Sequence, residues 1–348
     1  MRLPVWVAGL SVMALAAGFG GVAGPAHAVD DPPVYRDCGN IKIEPGADLH
    51  GCQLDRAHLR GADLDQARLE HADLRDANLR SANLRGADLS DADLRDAILD
   101  GANLNQANLN HATMDHADLR AVDVRRARLT RANLGGAKLA GMDLRGANLE
   151  SAFLGGADLS GADLEGANLN RADLNRADLY RADLRSAKLD YAQLADASLG
   201  HANLRGADLE SANLHSADLG HAKLTKANLT KASLRGAYLE GADLLSANLS
   251  GANLRGADLS GANLHWARLH DADLSQATWI GGRLCAEQSI GSCRQQTRPP
   301  RCPLTGDYQR VRRRSLRHPR TRRNNHGESG PPCCDPAHRW FSVSLEMP

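Results

Sequence analysis

Four aspartates, Asp123, Asp143, Asp163 and Asp183, recur along the chain at a constant interval of 20 residues. If the fold brings them side by side, their carboxylates repel one another unless cations lie between them. One interpretation is therefore a cation-binding strip. The other is a solvated face on which counterions and nearby backbone groups satisfy the aspartates, since aspartate suits turns. The interval alone does not decide between the two.

Few other residues are candidates for metal binding, partner binding or catalysis. His201 and His221 share the 20-residue interval, and two imidazoles could hold a metal, although surface histidines are common. Trp266 is a candidate contact for a partner. The chain has no G-x-S-x-G, H-E-x-x-H, P-loop or dinucleotide-binding motif, so we expect no catalytic residue, no cofactor and no enzyme activity. Aromatic residues make up only 3% of the chain, which argues against a stacking platform for bases or sugars.

A five-residue repeat must position these side chains. From residue 46 to residue 285, Ala recurs at positions ending in 2 or 7 and Leu at positions ending in 4 or 9. The residues that depart from these columns are Cys52, Met114, Val122, Val124, Met142, Trp279 and Gly282. A period of five fits neither a helix nor a long strand. The Ala–polar–Leu order instead indicates a short extended piece with two inward side chains and one outward side chain.

The phrases Ala62-Asp63-Leu64 and Ala102-Asn103-Leu104 are typical of the whole repeat, which resembles the A-(D/N)-L-x-x consensus of the pentapeptide-repeat family. The resemblance implies an all-β fold, a right-handed quadrilateral β-helix with four repeats per coil. The 48 repeats from Leu49 to Leu284 would then make about twelve coils. Residues 20 apart would lie above one another at ~4.8 Å, which stacks the four aspartates in one column. Leucines fill the axis, and the examples at its middle are Leu139, Leu159 and Leu179.

The flanks of the repeat differ from it in composition. An apolar run followed by Ala26-His27-Ala28 predicts a secretory signal peptide cleaved after Ala28, and an uncleaved N-terminal anchor is the alternative. No other segment is suited to cross a membrane, so the predicted location is secreted or in the cell envelope. The predicted domains are a signal peptide (1–28), an N-terminal lead or cap (29–45), a β-helix (46–285), a C-terminal cap (286–293) and a basic, disordered tail (294–348).

Four cysteines flank the two ends of the repeat. Cys38 and Cys52 lie at its start, whereas Cys285 and Cys293 lie at its end. In an exported chain this placement predicts two disulfide bonds, Cys38–Cys52 and Cys285–Cys293, that fasten the two caps. Zinc is the alternative for each pair, although neither pair has the close C-x-x-C spacing of zinc sites.

The charge distribution separates three hypotheses about function. Residues 46–293 carry 27 Lys and Arg against 34 Asp and Glu, a net charge of −7, whereas residues 294–348 carry 12 Arg against 4 acids, a net charge of +8. The first hypothesis is a non-enzymatic scaffold that binds an unidentified protein or cell-envelope polymer. The second comes from the family resemblance, because some pentapeptide-repeat proteins mimic DNA and bind gyrase. The modest acidity and the export signal argue against it. The third is polyanion binding through the basic tail.

Overall fold

The computed structural model describes residue 38 and residues 41–295. The predicted signal peptide, most of the N-terminal lead and the tail beyond residue 295 lie outside these residues. The chain divides into two units, Met1–Gln295 and Gln296–Pro348, and only the first contains described residues. The described part contains no α-helix, and so no helix there is long and apolar enough to span a membrane.

Parallel β-bridges join residues that are 20 apart, from Asp48↔Arg68 to Asp258↔Thr278. Each bridge is a single paired residue between two turns, and no longer strand forms among the described residues. Twenty residues therefore make one coil with four faces, as expected for a quadrilateral β-helix. We name the faces by their outward columns, which recur every 20 residues. Face I runs from Asp48 to Arg268, face II from Gln53 to Asp273, face III from His58 to Thr278, and face IV from Asp63 to Asn263.

The corners are tight turns in which the second corner residue has a positive φ. In the corner after Leu154, the Ala157 amide donates to the Leu154 carbonyl at 3.0 Å, and Gly156 has a φ of 65°. A positive φ at this position alone is the signature of a type II turn. Many corners hold non-glycine residues in the same conformation, for example Arg176 with a φ of 59°. These residues are kept in a sparsely populated region because hydrogen bonds to the neighbouring coils fix the turn.

Glycine at a corner also makes room for a neighbouring side chain. A Cβ added to Gly136 would lie 2.6 Å from the His116 ring, and one added to Gly241 would lie 2.5 Å from the His221 ring. In both places the histidine of one coil leans over the bare corner of the next coil. Glycine at these two corners therefore leaves room for the histidine ring and also adopts the positive φ without strain.

The inward columns form one continuous core. Leu159 is fully buried, and the axial leucines Leu139 and Leu179 of the adjacent coils are buried above and below it. The alanines beside them are also buried, because only a small side chain fits between the leucine stack and the backbone of each face. The core thus follows the Ala and Leu columns of the sequence for almost their whole length.

The regular pairing is interrupted at one place on face IV. Between Asp48 and Thr278, all within the described part, the only bridge missing from the 20-residue pattern is the one between Asp123 and Asp143. Val122 and Met142 replace alanine in this pair of coils, and both are buried. Their larger side chains hold face IV apart, which is the effect of overpacking. Val124 replaces the larger leucine on the axis, and it lines an enclosed space of ≈ 10 Å³.

The C-terminal end departs from the expected repeat. The Gly282 amide donates to the Trp279 carbonyl and the Trp279 amide donates to the Arg283 carbonyl, so the chain turns back on itself. Leu284 then pairs antiparallel with Thr278 and is 52% exposed. The sequence prediction that Leu284 ends the axial leucine column is wrong, because the reversal carries it off the axis. Trp279 is partly buried and packs against the core.

Both ends of the described unit are cross-linked. The structure contains the disulfide bonds Cys38–Cys52 and Cys285–Cys293, with Cα–Cα distances of 5.5 and 5.1 Å, which are the two predicted pairs. The first three of these cysteine side chains along the chain are buried against the terminal coils. Each bond closes a short loop over an end of the repeat, where the core has no further coil to cover it.

Candidate binding site

The aspartate column of face IV is neutralised by arginines. Arg125 Nη2 lies 2.7 Å from Asp123 Oδ2, and Arg145 Nη2 lies 2.7 Å from Asp143 Oδ2. Arg145 Nε also lies 3.6 Å from Asp163 Oδ2 in the next coil. Guanidinium groups therefore occupy the position that the sequence analysis assigned to a cation.

Asp183 is paired in the same way. Arg185 Nε lies 2.8 Å from Asp183 Oδ2, and its Nη2 lies 2.9 Å from Glu165 Oε2. The described residues contain no group of three or more histidine, cysteine or acidic side chains arranged to hold a metal. Metal binding by this column therefore remains a prediction, and it has to compete with arginines already in place.

The local signal for this pairing is the triplet Asp-x-Arg. In each triplet the arginine side chain, two residues after the aspartate, hydrogen-bonds the carboxylate. The triplets start at Asp73, Asp93, Asp118, Asp123, Asp143 and Asp183. The hydrogen bond from Arg120 lowers the pKa of Asp118 to about 2. Analogous bonds lower the pKa values of Asp123 and Asp143. The 20-residue interval did not indicate this pairing, because the pairing joins residues only two apart in the sequence.

His201 and His221 do meet, on the corner between faces III and IV. Their rings stack with centroids 5.1 Å apart and an angle of 17° between the planes. Tyr180 contacts His201 edge to face at 5.6 Å, and Arg181 lies over the Tyr180 ring. The arrangement is a stack of planar side chains over successive corners. Two imidazoles alone make an incomplete ligand set, since protein zinc sites use three or four ligands.

A long, shallow groove follows face I and its corner with face II. Its upper part is open, has a volume of ≈ 770 Å³ and is lined by Lys226, Asn228, Thr230, Asn248, Trp266 and Arg268. Its lower part has a volume of ≈ 350 Å³ and is lined by Glu150, Asn170, Arg171, Asp190 and Tyr191. Glu210 lines both parts and joins them. We call the two parts together the long groove.

Two exposed aromatic side chains stand at the two edges of the long groove. Trp266 is 74% exposed at the upper end, and Tyr191 is 54% exposed within the lower part, on the opposite corner of face I. Trp266 has a φ of 60°, which is rare for so bulky a residue, and its ring contacts His265 edge to face at 4.8 Å. The structure thus places the predicted contact residue Trp266 in a groove, and it adds Tyr191, which the sequence analysis did not select.

The floor of the upper part is a chain of hydrogen bonds along the axis. Asn228 Nδ2 donates to Asp208 Oδ1 at 2.8 Å, and Thr230 Oγ1 donates to Asn228 Oδ1 at 2.6 Å. Asn248 Nδ2 lies 2.8 Å from Thr230 Oγ1, which links the next coil. Because each side chain is held by a neighbour, the polar groups of the floor are fixed before any ligand arrives.

The long groove is lined by equal numbers of acidic and basic side chains. Glu150, Asp190 and Glu210 face Arg171, Lys226 and Arg268, three acids against three bases. None of these six forms an ion pair within the described residues, in contrast to the arginines of face IV. Burial raises the pKa of Asp190, and the nearby carboxylates of Asp208 and Glu210 raise it further. The lower part of the long groove therefore places several carboxylates close together around Asp190.

Comparison with known protein families gives a match over most of the repeat. The profile described as "Pentapeptide repeats" matches in eight copies, over residues 52–91, 87–126, 127–166, 157–192, 192–230 and 242–276. A comparison with curated protein sequences gives no match.

Solved structures of repeat proteins are also similar to the chain. HetL, a pentapeptide repeat protein involved in heterocyst differentiation regulation from Nostoc sp. strain PCC 7120, is 41% identical, and the match covers 62% of this chain and 92% of HetL with a TM-score of 0.33. Rfr23, a pentapeptide repeat protein from Cyanothece 51142, is 30% identical over 41% of this chain and 90% of its own, with a TM-score of 0.23. QnrB1, a plasmid-mediated fluoroquinolone resistance protein, is 21% identical, and the match covers 51% of this chain and 84% of QnrB1 with a TM-score of 0.34.

Proposed function

The chain belongs to the pentapeptide-repeat family, and from that premise we propose that it is a secreted or envelope-associated binding scaffold without enzymatic activity. Proteins of this family fold as right-handed quadrilateral β-helices and generally act as structural or binding proteins. The proposal includes the finer expectations from the sequence: about twelve coils, export after cleavage behind Ala28, and a protein or cell-envelope polymer as the partner.

The long groove is the observation that carries this proposal. The leucine axis is filled, and its enclosed space of ≈ 10 Å³ has no room for a ligand. Within the described residues, a partner must therefore bind to the outward faces. Face IV neutralises its carboxylates internally, whereas the long groove combines Tyr191, Trp266 and six charged side chains that form no ion pair in the described part. Exposed aromatic residues beside fixed polar groups are typical of contact surfaces.

The gyrase-binding alternative requires a surface with the charge of DNA. The excess of acids over residues 46–293 is modest, and arginines cover the aspartates of face IV. These features favour a scaffold over a DNA mimic. Polyanion binding through the tail is separable by experiment, since deletion of residues 296–348 would abolish it and leave the groove intact.

Localisation combined with cross-linking tests the proposal. The processed protein should begin at Val29 and fractionate with the envelope or the medium, as mass spectrometry of each fraction would detect. A photo-reactive residue in place of Lys226, beside Trp266, should capture a partner in that fraction. The matched position on the opposite face is Tyr238, where the same residue should capture far less. An unprocessed chain in the cytoplasm, cross-linked to gyrase, would overturn the proposal.

A further inference from the structure

We propose that the long groove binds a single chain of a neutral polysaccharide, with Tyr191 and Trp266 as the two stacking platforms. This inference rests on the proposed function and names the class of polymer that the scaffold would hold. It reverses the expectation that a chain with so few aromatic residues has no stacking platform for sugars. Aromatic residues are scarce over the whole chain, but two of the five exposed ones in the described part, Tyr191 and Trp266, line the same groove.

The aromatic side chains suit a sugar chain by chemistry and by spacing. The C–H face of a pyranose ring is apolar and packs on an indole or phenol ring, whereas its hydroxyl groups point sideways into polar surroundings. Tyr191 and Trp266 are separated by between three and four coils, which is ~18 Å along the axis. They stand on opposite corners of face I, so a linear chain crossing the face diagonally would contact both.

The polar groups along the long groove match hydroxyl groups. Asp190 and Glu210 can accept hydrogen bonds from hydroxyls beside and between the platforms, and Lys226 and Arg268 can donate to hydroxyl and ring oxygens there. Glu150 and Arg171 lie about two coils and one coil beyond Tyr191, so they would contact a chain that continues past that ring. Within the described residues no ion pair ties up any of these six groups. The floor contributes amide and hydroxyl groups already held in place by the network from Asp208 to Asn248.

Charge and composition argue for a neutral polymer over the alternatives. Over the whole long groove three acids balance three bases, while its lower part alone holds three acids against one base, so the lining does not favour a polyanion. A protein partner would need an apolar centre to bury, as protein interfaces have. Between the two platforms the lining is polar, and the aliphatic exception is the small side chain of Ala227, which lies in an inward column.

Binding of the full chain to defined polysaccharides tests the inference. The probes are insoluble cellulose, chitin, xylan, mannan and curdlan in co-sedimentation, followed by calorimetric titration with the matching hexasaccharide. The wild-type chain should bind at least one probe, with little change when the salt concentration is raised, because no phosphate-like charges are neutralised. Trp266→Ala and Tyr191→Ala should each weaken binding by about tenfold or more.

Tyr238→Ala is the matched control. Tyr238 is 58% exposed on face III, opposite the long groove, so its truncation should leave binding unchanged. Circular dichroism should show all three variants folded, since each change is on the surface. The inference is overturned if no probe binds, if Tyr238→Ala weakens binding as much as Trp266→Ala, or if binding is confined to a polyanion such as dextran sulfate and falls steeply with salt.

The two proposals fail in different ways. If cross-linking at Lys226 captures an envelope protein while every polysaccharide fails to bind, the scaffold proposal stands and the polysaccharide inference is wrong. If the chain is unprocessed in the cytoplasm yet binds a neutral polysaccharide through Trp266, the polysaccharide inference stands and the scaffold proposal is wrong. The readouts are independent because co-sedimentation uses purified protein.

Discussion

On face IV, each arginine reaches its aspartate without a change of coil. The Asp-x-Arg triplet puts the carboxylate on the face and the guanidinium at the following corner, where the Arg145 backbone amide also donates to Asp143 Oδ1 at 3.3 Å. Arg145 is 58% exposed, and solvent screens an ion pair at such a position, so the pair contributes little to stability. The column is therefore held by many weak contacts rather than by one strong site.

Replacing the middle aspartate of the column distinguishes arginine pairing from metal binding. Asp143→Asn should lower the free energy of unfolding by less than ~1 kcal/mol, and the loss should shrink at high salt because the pair is screened. Thermal melts at low and high salt would measure it. Chelator should leave the melting temperature of the parent protein unchanged. A melting temperature that falls with chelator, and is restored by a divalent cation, would instead support the cation strip.

The lowered pKa of Asp118 predicts a dependence of stability on pH. Its value is about 2 in the folded state against 3.8 for an unperturbed aspartate, and the main cause is the hydrogen bond from Arg120. Because the folded-state pKa is the lower one, the contribution is present above about pH 4 and is lost as the pH falls toward 2. Arg120→Gln should flatten this part of the stability profile, measured as melting temperature against pH. An identical profile in both proteins would contradict the assignment.

The faces and corners are the elements of this fold, and they tolerate variation unequally. Outward columns accept Asp, Asn, Arg, Lys, Thr and even Phe153, whereas the inward Ala column changes the backbone when it changes size. Val122 and Met142 lie one above the other, and the bridge between their neighbours Asp123 and Asp143 is absent. A local defect of this kind should open more readily than the coils around it.

Restoring the repeat at the defect should repair it. The triple variant Val122→Ala, Val124→Leu and Met142→Ala should raise the free energy of unfolding by about 0.5–2 kcal/mol. Amide hydrogen exchange of residues 122–143 should slow at the same time, as mass spectrometry of peptides from this region would detect. The matched control is Ala162→Val in the next coil of face IV. It should destabilise by about 1–3 kcal/mol, because Ala162 is fully buried in a regular coil. A stabilising Ala162→Val would contradict the overpacking account.

Periodic features were predictable from the sequence, and features that break the period were not. The buried position of Leu159 follows from its column, since every coil imposes the same geometry. The exposure of Leu284 does not follow, because the reversal at Trp279 depends on hydrogen bonds that the column cannot reveal. The long groove was missed for a related reason. Tyr191 and Trp266 occupy different columns, and only the folded corners show that both columns border face I.

At the scale of the whole molecule, the two ends of the repeat differ from its middle because each end has a core that no further coil covers. An interior coil is covered on both sides, whereas a terminal coil exposes its leucines unless a cap covers them. The Cys38–Cys52 and Cys285–Cys293 disulfide bonds lie at these two ends. No cysteine occurs between Cys52 and Cys285, where the stacking of coils is sufficient.

Breaking one cap should weaken the protein from that end. Cys38→Ser should lower the free energy of unfolding by about 2–3 kcal/mol, because the unfolded chain regains the freedom of a 14-residue separation. Denaturation midpoints would measure the loss, and addition of reductant to the parent protein should reproduce it. Peptide mapping under non-reducing conditions should join Cys38 to Cys52 and Cys285 to Cys293. Any other pairing among these four would contradict the cap assignment.

The 20-residue coil also sets a rule for how such a gene can change length. Losing five residues between Tyr191 and Trp266 would keep the Ala and Leu columns in phase, yet it would rotate everything beyond the deletion by a quarter turn. Trp266 would then no longer border face I together with Tyr191. Losing 20 residues would preserve the orientation and bring the two rings one coil closer, ~4.8 Å. If both rings are to stay on face I, the distance between them along the axis can therefore change only in steps of one whole coil.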